Sequence, residues 1–344
     1  MFDNKTDAYL IHSPANREYF TGISTSFGVA LITENEKIYF TDFRYESYAR
    51  RALSGFTLNI VTYANLYEKI VEELNRLEVK TVGYEENFIT VGEFKHVKSA
   101  LADFTLKPAS EIIAEKRMIK TEAEIAKITE AQHIAERALS KVVTLLKPGV
   151  TEREISAELT FEMLMQGADA LAFDNIVSFG ENSANPHHHP SDKKLDKNEL
   201  ILIDFGARVK GYCSDMTRTF TLGTPHDELK AIHGIVLEAQ AYALKHIKAG
   251  MTGKEADSLA REYIRANGYV KEFGHSLGHG VGVEIHESPN LSTLSDTVLL
   301  PGMVVTVEPG IYIDGLGGVR IEDMVVVRED GITNLTNFNK NLYL

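Results

Sequence analysis

Leu200-Ile-Leu-Ile-Asp204-Phe-Gly-Ala-Arg-Val-Lys-Gly-Tyr-Cys-Ser-Asp215-Met-Thr-Arg-Thr219 decides how this chain folds. An apolar run with strand character ends on a carboxylate, a glycine-flanked stretch turns, and a second carboxylate opens the return. Asp204 and Asp215 stand eleven residues apart, so a turn centred on Val209-Lys210 sets them opposite each other across a two-stranded ribbon. The design recurs a hundred residues later. Glu308 closes Met303-Val-Val-Thr-Val307, and Glu322 lies between Val319-Arg-Ile321 and Met324-Val-Val-Val327. A turn centred on Gly315 pairs those two across fourteen residues. Any one of these carboxylates reads more readily as a solvent-facing strand end; four in matched pairs do not.

Carboxylates on such apolar segments are expected to be buried, and an unpaired buried charge is expensive. Two divalent cations would set four positive charges against the four negative ones. His279 lies in His275-Ser-Leu-Gly-His279-Gly-Val-Gly-Val-Glu-Ile-His286-Glu287. The His-x-x-x-His spacing imitates a helical zinc pair, but Gly278, Gly280 and Gly282 exclude a helix. On a regular strand His279 and His286 face opposite ways, so a bulge is needed for both to reach one site. His187, in Asn185-Pro-His187-His-His-Pro190, lies about as far before His286 as Asp204 lies before Glu308. Arg320 is placed to hydrogen-bond a ligand carboxylate from behind, and Tyr212 and Thr217, flanking Asp215, read the same way or as core. Oxygen-rich ligation with one imidazole suits a hard ion such as Mn²⁺. Cys213 has no triad signature and reads as packing.

With 344 residues, 44% hydrophobic and 25% charged, the chain is long enough for two cores. A net charge of −13 argues against nucleic acid or an anionic membrane surface as partner. A single cysteine excludes an internal disulfide framework and fits a reducing compartment. Neither a signal peptide nor a bilayer-spanning run is read, so a cytoplasmic protein is expected.

Residues 1–118 read as a smaller α/β domain: strands at 28–32, 37–40 and 81–84, and a helix at 67–77. Asp42, Arg44 and Tyr45 read there as a structural ion pair or turn. The segment 107–120 reads as the crossing to a second domain, 119–344. Capping boxes open helices at Thr121-Glu-Ala-Glu124 and Thr151-Glu-Arg-Glu154, a third follows Pro225, and Thr252-Gly-Lys-Glu255 caps a fourth. Lys147-Pro-Gly-Val-Thr-Glu-Arg-Glu154 recurs as Lys248-Ala-Gly-Met-Thr-Gly-Lys-Glu255. Each half thus reads as two helices, a histidine segment and a ribbon carrying two carboxylates: an α+β domain duplicated about a pseudo-two-fold axis.

These residues resemble the pita-bread metallopeptidases, which include aminopeptidase P, prolidase and methionine aminopeptidase. The resemblance rests on Ile-Asp-Phe-Gly, Ser-Asp-Met-Thr-Arg-Thr, Gly-His-Gly-Val-Gly, Val-Glu-Pro-Gly and Arg-Ile-Glu-Asp, and spans 121–330. Tyr39-Phe-Thr-Asp-Phe-Arg-Tyr45 looks like the amino-terminal domain of the aminopeptidase P and prolidase branch. The resemblance implies two divalent ions, manganese first, with cobalt, zinc or iron as alternatives. Asp204 would bind one ion, Asp215 and Glu322 bridge, and His279 and Glu308 complete the set. It further implies that a metal-bridging hydroxide attacks the bond before a penultimate proline. Glu308 would serve as general base, His286 and His187 would steady the oxyanion, and His187, His275 and His286 would contact substrate. Arg320 and Thr217 would support the ligands. A homodimer is implied as well. Prolidases resembling this chain often carry an arginine where Asn290 stands, which favours an Xaa-Pro aminopeptidase, with Xaa-Pro dipeptidase as the alternative. Methionine aminopeptidase, a non-catalytic binding module and a creatinase-like amidinohydrolase are the weaker readings on the same fold.

Overall fold

Alternating apolar residues on both faces of a strand demand cover on both sides, and residues 6–117 are built that way. The computed structural model describes residues 6–344, which divide into two compact units at Arg117/Met118. In the first, six strands are ordered Thr57–Ile60, Lys37–Thr41, Val29–Thr33, Ala8–Ile11, Thr81–Tyr84, Thr105–Pro108. Leu10, Leu31, Ile38 and Phe40 pack on one face with Ile70, Leu74 and Val97 of two helices. Tyr9, Ile11, Ile32 and Tyr39 pack on the other with Ala49 and Ile113. Asp42 caps the Phe43–Ala52 helix and pairs with Arg44 at 2.7 Å, the structural role expected for it. The boundary between the units falls within the segment 107–120 read as the crossing, and that segment is structured. Residues 105–108 extend the sheet, and Ser110–Met118 is a helix whose Ile113 is buried in the second core.

The second unit repeats a pattern. Helices Glu122–Val142 and Glu152–Met165 cover the Leu200–Phe205/Met216–Thr221 ribbon, and Asp227–His246 and Gly253–Ala266 cover the strands from Gly278 to Asn334. Four capping boxes or caps begin these helices, three of them at Thr121, Thr151 and Thr252 as expected. The repeated motif is a repeated structure. Gly149 N donates to Leu195 O and Leu195 N to Val150 O; Gly250 N donates to Leu299 O and Leu299 N to Met251 O. Each half has its own apolar core, one around Ile134, Leu159 and Ile203 and one around Val236, Ile264 and Val325. This is the duplicated α+β architecture that the sequence implies. No helix among the described residues is long and apolar enough to cross a membrane.

Candidate active site

The two ribbons meet at their carboxylates. Val307 pairs with Asp323 and Gly310 with Arg320, so Glu308 and Glu322 stand directly across from each other about a turn at Gly315, as the spacing predicts. The first ribbon departs from expectation by one residue. Val209 pairs with Tyr212, leaving Lys210 and Gly211 as a two-residue turn with φ of +50° and +82°. Such a turn needs two left-handed residues, and the Lys-Gly pair supplies them where Val209 would not. Asp204 therefore faces Thr217, and Asp215 stands diagonally, two residues before Thr217. Gly206 makes the crossing feasible: a Cβ there would lie 1.9 Å from Ser214 O. Glu322 N donates to Thr217 O at 3.1 Å, joining the ribbons. Arg218, 1% exposed, bonds Glu322 O and Asp323 across the same seam.

His279 reaches the carboxylates from the Gly278–Gly280 strand. The required bulge is present: pairing slips between His279 and Gly280, and the His286 ring lies 4.3 Å from that of His279. His279 Nδ1 is 3.1 Å from Gly280 O, so it carries the proton and leaves Nε2 as a lone pair. Nε2 faces Glu308 Oε1 at 3.3 Å and Asp215 Oδ2 at 3.6 Å. Burial lowers the pKa of this imidazole, which keeps it neutral.

Burial is the leading influence on three of these acids, Asp215, Glu322 and Glu308. It holds Asp215 well above the ordinary carboxylate range, with repulsion from Glu322, Asp204 and Glu308 adding to it. Glu322 is raised in the same way, with Glu308 and Asp204 adding, and Glu308 is pushed up to about 8. Such a cluster is stable as anions only around positive charge.

The oxygens divide into tethered and bare. Asp204 Oδ2 accepts from Arg320 Nη2 at 2.6 Å, while Oδ1 is buried with no donor. Glu322 Oε2 accepts from Thr217 Oγ1 at 2.7 Å, while Oε1 is likewise bare. Ligand atoms of Asp215, His279 and Glu322 lie within 4.8 Å of one another. Bare buried oxygens beside an imidazole lone pair are what a divalent cation requires, so the residues fit a metal.

A chain of donors stands behind them. Arg320 Nε donates to Thr217 Oγ1 (3.0 Å) and Nη1 to Tyr312 OH (2.8 Å). Tyr312 OH is 2.9 Å from His275 Nε2, and His275 Nδ1 is 2.8 Å from Ser276 O. Both nitrogens of His275 thus have protein partners, which leaves its ring face for the cleft. Thr306 Oγ1 accepts from His279 N and donates to Glu308 Oε1. The cleft measures about 380 Å³, and Phe173, Ile176, His187 and Ile285 form its walls. Tyr212 is not part of the site: its hydroxyl donates to Glu124. Cys213 is buried, with its N–H on Gly282 O, and packs as expected.

Sequence reasoning missed Tyr312, Thr306 and Glu152. The first two were within reach, because 306 and 312 lie an even number of residues either side of Glu308 on the two strands that flank it. Glu152, which bonds His188, looks in sequence like any exposed glutamate of a helix's first turn.

Residues 126–329 match the model for metallopeptidase family M24, and residues 1–119 match the creatinase/prolidase N-terminal domain. The chain is 40% identical to a Xaa-Pro dipeptidase of Pyrococcus furiosus, over 99% of this chain and 97% of that protein. Among solved structures, the X-Pro aminopeptidase of Thermotoga maritima is 42% identical with a TM-score of 0.93, covering 98% of both chains. A Xaa-Pro dipeptidase from Bacillus anthracis is also 42% identical, with a TM-score of 0.94, covering 98% of this chain and 95% of its own.

Proposed function

The chain belongs to metallopeptidase family M24, in the aminopeptidase P and prolidase branch, and on that premise we propose that it is a dinuclear-metal exopeptidase that cleaves the bond between a first residue and a following proline. The observation that carries this reading is the cluster of Asp215, His279 and Glu322 ligand atoms within 4.8 Å of one another, in a cleft also lined by Asp204, with bare buried oxygens on Asp204 and Glu322.

Asp204, Asp215, His279, Glu308 and Glu322 would hold two divalent cations, manganese first. Bound there, such a pair would supply charge neutralisation of the carboxylates, a more acidic water and a polarised scissile carbonyl. Glu308 moves the proton from attacking water toward the leaving nitrogen, and the hydroxyl of Thr306 fixes the oxygen Oε1 that it uses. His286, 4.3 Å from His279 between ring centres, and His187 steady the oxyanion. His275 orients Tyr312 and lays its ring along the cleft. Proline lacks an N–H, so selection works through the apolar walls at Phe173, Ile176 and Ile285.

The dipeptidase name is carried by the Pyrococcus furiosus and Bacillus anthracis relatives, which weighs against the lean toward an aminopeptidase drawn from Asn290. Asn290 is exposed on the strand facing His279, which keeps the aminopeptidase as the second reading. A homodimer in the cytoplasm completes the proposal, on resemblance and on the single cysteine. The test is turnover of Ala-Pro against Ala-Pro-Ala by stripped protein with Mn²⁺ restored. No cleavage of either peptide, with metal bound, would overturn it.

A further inference from the structure

Glu152 is 0% exposed at the start of the Glu152–Met165 helix, and its carboxylate accepts five hydrogen bonds. Oε1 takes Phe179 N (2.7 Å) and Asn182 Nδ2 (2.9 Å). Oε2 takes His188 Nε2 (2.8 Å), Ser191 N (2.9 Å) and Ser191 Oγ (2.6 Å). The first pair lies where the chain enters the 179–191 segment, and the second set where it leaves. His187 stands between them in a turn closed by His188 N on Asn185 O and His187 N on Asn185 Oδ1, both at 3.2 Å. Midway, Ser183 Oγ accepts from Gly318 N at 2.8 Å, which ties the segment to the strand that ends at Arg320.

We propose that Glu152 is a positioning residue for the reaction: one carboxylate staples both ends of the loop and so fixes where His187 stands over the metal-binding carboxylates. This rests on the role assigned to His187 above. Burial alone would raise the pKa of Glu152, and hydrogen bonds from Ser191, Asn182, His188 and Phe179 outweigh it, so the group is the anion that five donors require. The positive end of the helix adds to that preference.

Helix initiation is not what this carboxylate serves. Thr151 and Glu154 complete the capping box without it. The matching helix in the other half forms the same box with Thr252 and Glu255, and its residue at that place is Gly253. There a Cβ would lie 2.2 Å from Asn290 O, so the backbone following His286 docks straight onto the helix. One half approaches its histidine loop through a side chain and the other through bare backbone.

The test is a double-mutant cycle on the Mn²⁺-loaded full chain with Ala-Pro and Ala-Pro-Ala: Glu152→Gln, His187→Ala and both together. Glu152→Gln is expected to lower kcat/KM by about 10- to 100-fold with metal stoichiometry unchanged, and to cost less than about twofold more when His187→Ala is already present. Unchanged kcat/KM in Glu152→Gln, or a loss that multiplies in full in the His187→Ala background, would overturn the inference. An inert His187→Ala would instead sink the assignment of His187, and this inference with it. Should Glu152→Gln fail to fold, Asn182→Ala and Ser191→Ala enter the same cycle, where the same two outcomes decide.

Discussion

Arg320→Met is the perturbation that separates scaffold from chemistry most sharply. The guanidinium is 3% exposed and serves Thr217, Tyr312 and Asp204 at 3.0, 2.8 and 2.6 Å. Methionine replaces much of its volume and none of its donors. Asp204, 8% exposed, already has one oxygen without a donor, so the change strips the second as well. Removing one partner of a buried ion pair costs about 3–5 kcal/mol, mostly as the penalty on the stranded charge. In chelator at pH 8 the unfolding transition of the catalytic unit should therefore move by about that amount. With Mn²⁺ present, cations replace part of the lost charge, and the remaining defect becomes a metal affinity about 10- to 100-fold weaker. That range equals about 1.4–2.7 kcal/mol. Urea unfolding followed by circular dichroism, with and without chelator, and a metal titration measure the two parts. A deficit in chelator below about 1 kcal/mol, or an unchanged metal affinity, would refute the reasoning.

Metal-free protein should lose stability as pH rises from about 5 to 8: the folded state holds Glu308 near 8 while the unfolded chain releases that proton near 4.5, so folding takes up protons across this window. Excess Mn²⁺ should flatten that slope in thermal melts, and a metal-free Tm that climbs toward pH 8 would contradict it. Glu308→Gln should still bind metal yet lose more than about a thousandfold in kcat, since it removes both a ligand and the proton carrier; isothermal titration beside a peptidase assay checks the pair. Thr306→Val should lower kcat by about tenfold with little change in KM, since it frees both His279 N and Glu308 Oε1. Gly206→Ala should fold poorly or lose several kcal/mol, because its methyl would lie 1.9 Å from a backbone oxygen; a melt within a degree of the parent would show that the ribbon yields there.

Legibility in the sequence followed the type of constraint. The Glu308–Glu322 ribbon was readable to the residue, because Gly315 sits at the centre of an odd-length turn and the pairing keeps one register on both sides of the break at the two glutamates. The Asp204–Asp215 ribbon was misread by one position, because the left-handed demand at Lys210 and Gly211 outweighed the apparent symmetry of the two acids. A one-residue slip normally sends a side chain to the other face. Here it moves the register sum by two, so both carboxylates keep the same face and the site survives the error. The His279–His286 bulge was predictable from odd spacing and glycines, but its place was not. Glu152 was illegible, since only the return of a distant loop distinguishes it from its solvent-facing neighbours.

Arginine has donors and no lone pair, and that has a consequence at Arg320. Each hydroxyl it touches must receive, and so has its one hydrogen left to give elsewhere: Thr217 to Glu322, Tyr312 to His275. Both relays therefore run outward from the guanidinium and cannot reverse while it stays in place. The polarity of the surroundings is set before any peptide arrives, and the two oxygens left bare, Asp204 Oδ1 and Glu322 Oε1, belong to residues that line the cavity.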